Sequence, residues 1–360
     1  YSSIENIGII FSGLGLALLY RGMGMNQLAA LALAAALYHC LNHSQFKSLL
    51  FLATGSVLHA TGQRSLGKLG GLIHKMPWVA GLALVGTLAM AGLPPLNGFV
   101  SEWLLLQSYL FTPTLPHALV NMLVPLGAAV FALTVALAAY VLVKFYGVIF
   151  LGQSREPTLA KAHDADPLER LGLAWLATGC LLLGLFPVRV LQALDRVNQG
   201  LLGTTLGNHG AGAWLVVPLA ADRASYSPIA FGVGIAVCVA IIFLLVRGLY
   251  HGRMRRSAPW DCGFPLQTAR MQDSAEGFGQ PIRHIFGPFF RIRRELPAPD
   301  DAAPRYALDL ADRWWDWLYA PIEGFVETGA RWISVLQQGR IALYLIYSFA
   351  TLLILLAFAL

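Results

Sequence analysis

Charge is what this sequence has least of. Of its 360 residues, 12% are charged, whereas soluble domains carry about a quarter. Length alone would allow two or three soluble domains. The apolar residues, 57% of the chain, instead lie in blocks long enough to cross a bilayer, which takes roughly 20 residues of helix. A soluble enzyme is thereby excluded. Cysteine is also scarce: Cys40, Cys180, Cys238 and Cys262 stand far apart, with no Cys-x-x-Cys pair. Neither a disulfide framework nor a metal site is expected from them. The chain lacks a Gly-rich phosphate loop, a nucleophile motif and a haem-binding pair, so no cofactor, no metal and no catalytic centre of its own are expected. It also has no initiator methionine and no readable signal peptide. Its opening, Tyr1-Ser2-Ser3-Ile4-Glu5, predicts that the N-terminal part of a longer protein is absent.

The net charge of +6 does not point to nucleic acid. Of the 25 basic residues, 13 fall between Arg247 and Arg340 beside an apolar span, as expected of a cytoplasmic membrane flank. Seven spans are predicted, at about 4–20, 27–61, 78–111, 121–151, 171–193, 228–246 and 341–360. The third is interrupted by Leu93-Pro94-Pro95-Leu96-Asn97-Gly98. Basic residues alternate between the connections. Arg64, Lys68 and Lys75 follow the second span, Arg155, Lys161 and Arg170 the fourth, and the large basic segment the sixth. The other connections carry few, among them Arg21, Arg196 and Arg223. By the positive-inside rule the C-terminus lies outside the cytoplasm. Residues 247–340 are too long for a simple loop. The part through Pro297 reads as irregular, and 305–338, rich in Trp314, Trp315, Trp317 and Trp332, reads as an interfacial amphipathic helix kinked at Pro321 and Gly324 or as a helix packed on protein.

The informative residues are ionisable groups within the spans, since a charge at mid-bilayer costs about 3 kcal/mol on insertion scales. His39, His43 and Lys47 recur at steps of four, which places them on one helix face over roughly 12 Å. Histidine exchanges protons near neutral pH and a desolvated lysine can release one, so the three suit a proton relay. The alternative is hydrogen bonding to neighbouring helices or to a headgroup. In the third span Pro94, Pro95, Asn97 and Gly98 must break the helix, and Glu102 follows one turn later. Unwound backbone can hydrate such a carboxylate for ion transfer. A structural kink with a salt-bridged Glu102 is the plainer reading. Lys144 either snorkels to the headgroups, pairs with Glu102 or continues the relay. Glu5, at the edge of the first span, reads as solvated in preference to an ion entry. The other histidines lie in loops or at span ends and read as bearing no ligand role.

Three stretches in combination resemble a known family: Tyr1-Ser2-Ser3-Ile4-Glu5-Asn6-Ile7-Gly8, Tyr38-His39-Cys40-Leu41-Asn42-His43-Ser44-Gln45-Phe46-Lys47, and Gly92-Leu93-Pro94-Pro95-Leu96-Asn97-Gly98-Phe99-Val100-Ser101-Glu102. They are similar to the antiporter-like membrane subunits of respiratory complex I, multisubunit cation/proton antiporters and membrane-bound hydrogenases. Trp260-Asp261-Cys262-Gly263-Phe264, Thr268-Ala269-Arg270-Met271-Gln272 and Gly279-Gln280-Pro281-Ile282-Arg283 resemble the hydrogenase-4 and formate hydrogenlyase branch. The resemblance implies an all-α membrane fold of inverted helix repeats, with residues 1–193 holding part of the second repeat and a following helix. A non-cytoplasmic connection (194–227), a transmembrane helix (228–246), the basic cytoplasmic segment with its interfacial helix (247–340) and a C-terminal transmembrane helix (341–360) complete the division. The interfacial stretch would correspond to the family's lateral helix. The resemblance maps the central relay onto His39, His43 and Lys47 and the terminal carboxylate onto Glu102. It leaves the first repeat's half-channel outside this chain.

Three functions follow as expectations. The first is a proton-translocating subunit in a bacterial inner membrane, partnered by other membrane subunits and a peripheral hydrogenase or redox module. The second is a sodium- or potassium-linked antiporter subunit. The third is a non-conducting anchor for a redox module.

Overall fold

The computed structural model describes residues 1–207, 215–219, 225–250, 252, 260–264, 266–269, 271–334, 336–337 and 339–359. His209, Arg223, His251, Arg270 and Gln338 lie outside the described residues. The chain divides into two units, Tyr1–Phe278 and Gly279–Leu360.

The first unit is helical: α1 (Ser2–Gly22), α2 (Asn26–Thr61), α3 (Pro77–Met90), α4 (Asn97–Leu110), α5 (Ala118–Phe150), α6 (Pro167–Leu185), α7 (Pro187–Leu202), α8 (Pro228–Leu249) and the single turn α9 (Ala275–Phe278). Among the described residues, five helices are long and apolar enough to cross a membrane: α1, α5, α6, α8 and, in the second unit, Ile341–Phe358. The 36-residue α2 is about 54 Å long at 1.5 Å per residue, more than a bilayer's hydrocarbon thickness. Its polar stretch from His39 to Lys47 sets it apart from those five. It is the central element of the unit and packs on α1, α3, α4, α6 and α7. At the seam with α1, Gly13 faces Ala32 and Ala36, small residues as expected where backbones approach closely in lipid. Ala29, Ala30, Ala32, Ala34, Ala35 and Ala36 are all buried, and a Cβ on Gly13 would lie 3.0 Å from that of Ala36.

The connections after α2 and after α5 meet at one end of the unit. Gly71 donates its N–H to Leu151 O (2.9 Å), and the Arg155 guanidinium donates to Leu69 O. The basic groups that the positive-inside rule assigns to a common face are therefore joined there. Asp164, from the same cluster, caps α3: its carboxylate accepts from Trp78 N (2.9 Å) and Val79 N (3.3 Å), two of the donors that a helix start leaves unpaired. Asp164→Ala is expected to lower stability by about 1 kcal/mol, read as a lower unfolding temperature of the detergent-solubilised protein. An unchanged midpoint would contradict the cap.

The third span is broken as predicted. α3 ends at Met90 and α4 starts at Asn97, with a cis Pro94–Pro95 bond between them. The fifth span departs from the prediction of one run over 171–193, because it is broken too. α6 stops at Leu185 and α7 restarts at Pro187, where proline's missing N–H is tolerated at a first helical position. The two breaks touch: a Cβ on Gly184 would collide with Pro95 O and Asn97 N.

The apolar core of this unit lies in two clusters. One gathers Phe46, Leu49, Met76, Val79, Phe150 and Leu173. The other gathers Tyr20, Leu31, Tyr38, Leu104, Leu105 and Leu191. Between their levels α1, α2 and α4 contribute buried polar side chains: Asn6, His39, Asn42, Asn97, Ser101 and Glu102.

The second unit starts with α10 (Gln280–Ile285) and a two-stranded antiparallel hairpin, β1 (Phe290–Glu295) with β2 (Ala307–Asp312). This corrects the irregular and all-helical reading of 290–312. Alternation in Phe290-Arg291-Ile292-Arg293 and Leu308-Asp309-Leu310 suits strands, and Arg293 lies directly opposite Asp309, a favourable cross-strand pair. A π turn at Trp315–Tyr319 leads into α11 (Ala320–Ser334), which runs through Gly324. Pro321 lies just past the π turn, so its missing N–H falls where the helical bonding pattern changes. The chain closes with α12 (Ile341–Ala359).

Candidate functional site

The structure brings His39, His43 and Lys47 onto one face of α2, and α1 and α4 supply their partners. The His39 ring is buried with both nitrogens engaged, Nε2 with Asn6 Oδ1 (3.0 Å) and Nδ1 with Ser101 Oγ (3.0 Å). Asn6 is held by its own amide, which donates to Ser2 O (2.8 Å). Ser2 Oγ accepts from Lys47 Nζ (2.6 Å). The polar groups thus run from Lys47 through Ser2 and Asn6 to His39, then to Ser101, the residue before Glu102.

The donor and acceptor assignments within this chain are constrained. Asn6 Nδ2 donates to a carbonyl, so Oδ1 faces His39 and can only accept, and Nε2 must carry a hydrogen. Neutral His39 then has a lone pair on Nδ1 that receives the Ser101 hydroxyl proton. Once His39 is protonated, both of its nitrogens donate and Ser101 must turn its proton elsewhere. Gly98 O stands ready at 3.1 Å. The Asn42 amide donates to Ser101 Oγ (2.9 Å) in addition to Asn97 O (2.7 Å), which anchors the start of α4 to α2. The Ser101 hydroxyl therefore has two acceptors within reach, His39 Nδ1 and Gly98 O, and links α2 to α4.

Glu102 is 8% exposed and makes no hydrogen bond among the described residues. Its carboxylate packs against Gly92, where a Cβ would strike Oε2. Gly92 has φ +64°, a backbone conformation that also favours glycine. Three further buried polar atoms on α2 and α4 have no partner among the described residues: Asn42 Oδ1, His43 Nε2 and Asn97 Oδ1. Buried polar atoms are nearly always paired, and these three are exceptions among the described residues. His43 lies between His39 and Lys47, with its ring edge on Phe46 at 5.6 Å.

Lys144 stands apart. It is half-buried on α5 and makes neither a hydrogen bond nor an ion pair among the described residues, so no Glu102–Lys144 bridge forms. Glu5 belongs to the site more closely than its position in the sequence suggests, since its charge lies within electrostatic reach of both Lys47 and Glu102. Ser2, Asn6, Asn42 and Ser101 carry no charge and were not singled out in the sequence. Their spacing contains the signal: Ser2, Glu5 and Asn6 are three and four apart and share a face of α1.

A buried polar seam beside a broken helix, inside a multi-pass bundle, defines the class of antiporter-like membrane proteins. The chain matches that family: residues 1–125 fit the one described as NADH:quinone oxidoreductase/Mrp antiporter, transmembrane region. It is therefore a multi-pass membrane protein. Among curated proteins it is similar to formate hydrogenlyase subunit 3 of Escherichia coli, at 35% identity over 82% of this chain and 46% of that protein. It is also similar to hydrogenase-4 component B of Escherichia coli, at 30% identity over 99% of this chain and 54% of that protein. The chain spans about half the length of these relatives. Its fold matches a chain of the membrane-bound sulfane sulfur reductase, an archaeal respiratory membrane complex, with a TM-score of 0.59 and 23% identity over 99% of this chain and 55% of the other.

Proposed function

We propose that this chain belongs to a proton-translocating membrane subunit of a hydrogenase or formate hydrogenlyase-type complex. We place it in a bacterial inner membrane, with its C-terminus on the non-cytoplasmic side and a peripheral redox module as partner. The observation that carries the reading is the continuous polar seam from Lys47 to Ser101, ending beside an unpaired, buried Glu102 at a broken helix. Its two relatives from the hydrogenase branch support the type of complex.

In this mechanism Lys47 and His43 pass protons along α2 to His39. Protonation of His39 turns the Ser101 hydroxyl from Nδ1 to Gly98 O, and the resulting change of field reaches Glu102. Interior charges a few Å apart act on one another by several kcal/mol even at an effective dielectric near 20, so each transfer biases the next. Glu102 then releases its proton through the opened backbone at Leu93–Leu96 toward the non-cytoplasmic side. Its carboxylate takes the extra proton of His39 through water beside Ser101, which returns both groups to their starting states.

The test is proton uptake by inverted vesicles carrying the full-length subunit in its complex, with redox turnover recorded in parallel. Glu102→Gln should remove most of the uptake while the complex stays assembled. Normal uptake in that variant would defeat the mechanism and favour a non-conducting anchor.

A further inference from the structure

Two cavities lie along the α5 side of the polar seam. One, of about 450 Å³, is bounded by Ser2, Lys47 and Thr54 together with α5 residues from Thr134 to Phe145. The other, of about 500 Å³, is bounded by Ser12 and Tyr109 together with α5 residues from Leu123 to Thr134. Each therefore follows about 16 Å of α5. They lie one after the other along that helix, the first toward the end where the basic connections gather and the second toward the opposite end. Two residues line both cavities: Glu5 on α1 and Thr134 on α5.

Glu5 is half-buried at this meeting point and makes no side-chain hydrogen bond or ion pair among the described residues. The Lys47 ammonium is a wall of the first cavity, and of the residues around the second, Glu5 supplies the carboxylate. The Thr134 hydroxyl donates to Val130 O (2.9 Å), which leaves its oxygen free to accept a hydrogen bond. A carboxylate within electrostatic reach of the Lys47 ammonium, yet held by no hydrogen bond or ion pair among the described residues and bordering two cavities, is poorly explained as a packing element. Ionisable groups inside membrane bundles mark ion paths.

We propose that Glu5 is a proton-transfer residue that hands protons from the Lys47 cavity to the Tyr109 cavity, giving the protein a branch along the α1–α5 groove beside the central seam. This rests on the proton-conducting reading above. In the step, an N–H bond of the Lys47 ammonium breaks and an O–H bond forms on the Glu5 carboxylate, leaving a neutral amine and a carboxylic acid. The acid rests its proton on Thr134 Oγ, then gives it to water in the second cavity and returns to the carboxylate. Lys47 is recharged by water from the first cavity. No electrons change hands.

The experiment uses the same vesicles and the full-length subunit in its complex. Glu5→Gln should remove the share of proton uptake that the branch carries and leave that of the central seam, with assembly intact. Glu5→Asp should restore much of the rate, since it keeps the carboxylic acid. Thr134→Leu, which fills the junction and leaves every ionisable group in place, should also slow uptake. Wild-type uptake in Glu5→Gln, alongside lost uptake in Glu102→Gln, would overturn the branch and leave the central pathway standing. Unaltered uptake in both variants would instead remove the conducting function itself. Loss of sodium uptake in Glu5→Gln with proton uptake intact would overturn the proton assignment and make the junction a cation site.

Discussion

Gly98→Ala, the addition of one methyl group, is expected to lower the amount of assembled subunit and to cut proton uptake per complex at least about tenfold. The Cβ would fall on the carbonyl oxygen of Ala89, which already accepts from Gly92 N at 3.2 Å. The obstacle is backbone, so no rotamer change can relieve it. Either the last turn of α3 or the first turn of α4 must move. The first turn of α4 carries Asn97 O and Ser101 Oγ, both held by Asn42, and so the shift would also pull Ser101 from His39. Overpacking of a tight site costs about 1–3 kcal/mol, enough to account for the loss. The control is Gly55→Ala on α2, where nothing lies within 4 Å of the added carbon and a mid-helix glycine is replaced by a better helix former. It should be neutral or stabilising. Thermal unfolding of the purified complex and uptake in vesicles measure both, and a Gly98→Ala protein indistinguishable from the control would refute the packing account.

A loss as large, reached by a different route, is expected at Lys47. Lys47→Gln removes the ammonium that donates to Ser2 and acts on Glu5 through space, and leaves the Glu5 and Glu102 carboxylates without that cation. Uptake should fall to background. Lys47→Arg divides the possible causes: the guanidinium keeps the positive charge and can donate to Ser2, but it does not give up a proton in proteins. If Lys47 is a carrier, the arginine variant should assemble normally and still fail to conduct. Full conduction by it would mean that Lys47 acts as a fixed charge, and the relay would have to run without it. Assembly on native gels, measured beside uptake, keeps a folding defect from passing for a conduction defect.

The parts of this site that were legible in the sequence are those where a residue type is costly or geometrically restrictive. Pro94, Pro95 and Gly98 announce a broken helix because proline cannot continue one. His39, His43 and Lys47 announce a polar face because their spacing matches the helical period. The break at Pro187 escaped notice, since hydropathy is blind to backbone and the apolar run continues through Leu185 and Val188. Asn6 and Ser101 escaped for another reason: short neutral side chains disturb neither hydropathy nor charge, and their role exists only once α1, α2 and α4 are packed. The hairpin at Phe290–Asp312 was hidden by its arginines, which read as a loop when counted by charge and as a strand only when counted by alternation. Glu5 was visible but placed at a solvated edge, because a sequence does not show that α5 packs beside α1 and brings Thr134 to the other side of the junction.

The contact at Gly184 has a mechanical consequence. With no side chain between α6 and the backbone at Pro95 and Asn97, there is nothing compressible at that joint. A slide of α6 along its axis, driven by whatever pulls on the chain beyond Leu185, would reach the α3–α4 junction undiminished, as a push rod acts on a latch. A bulky residue in its place would force the rod off the latch.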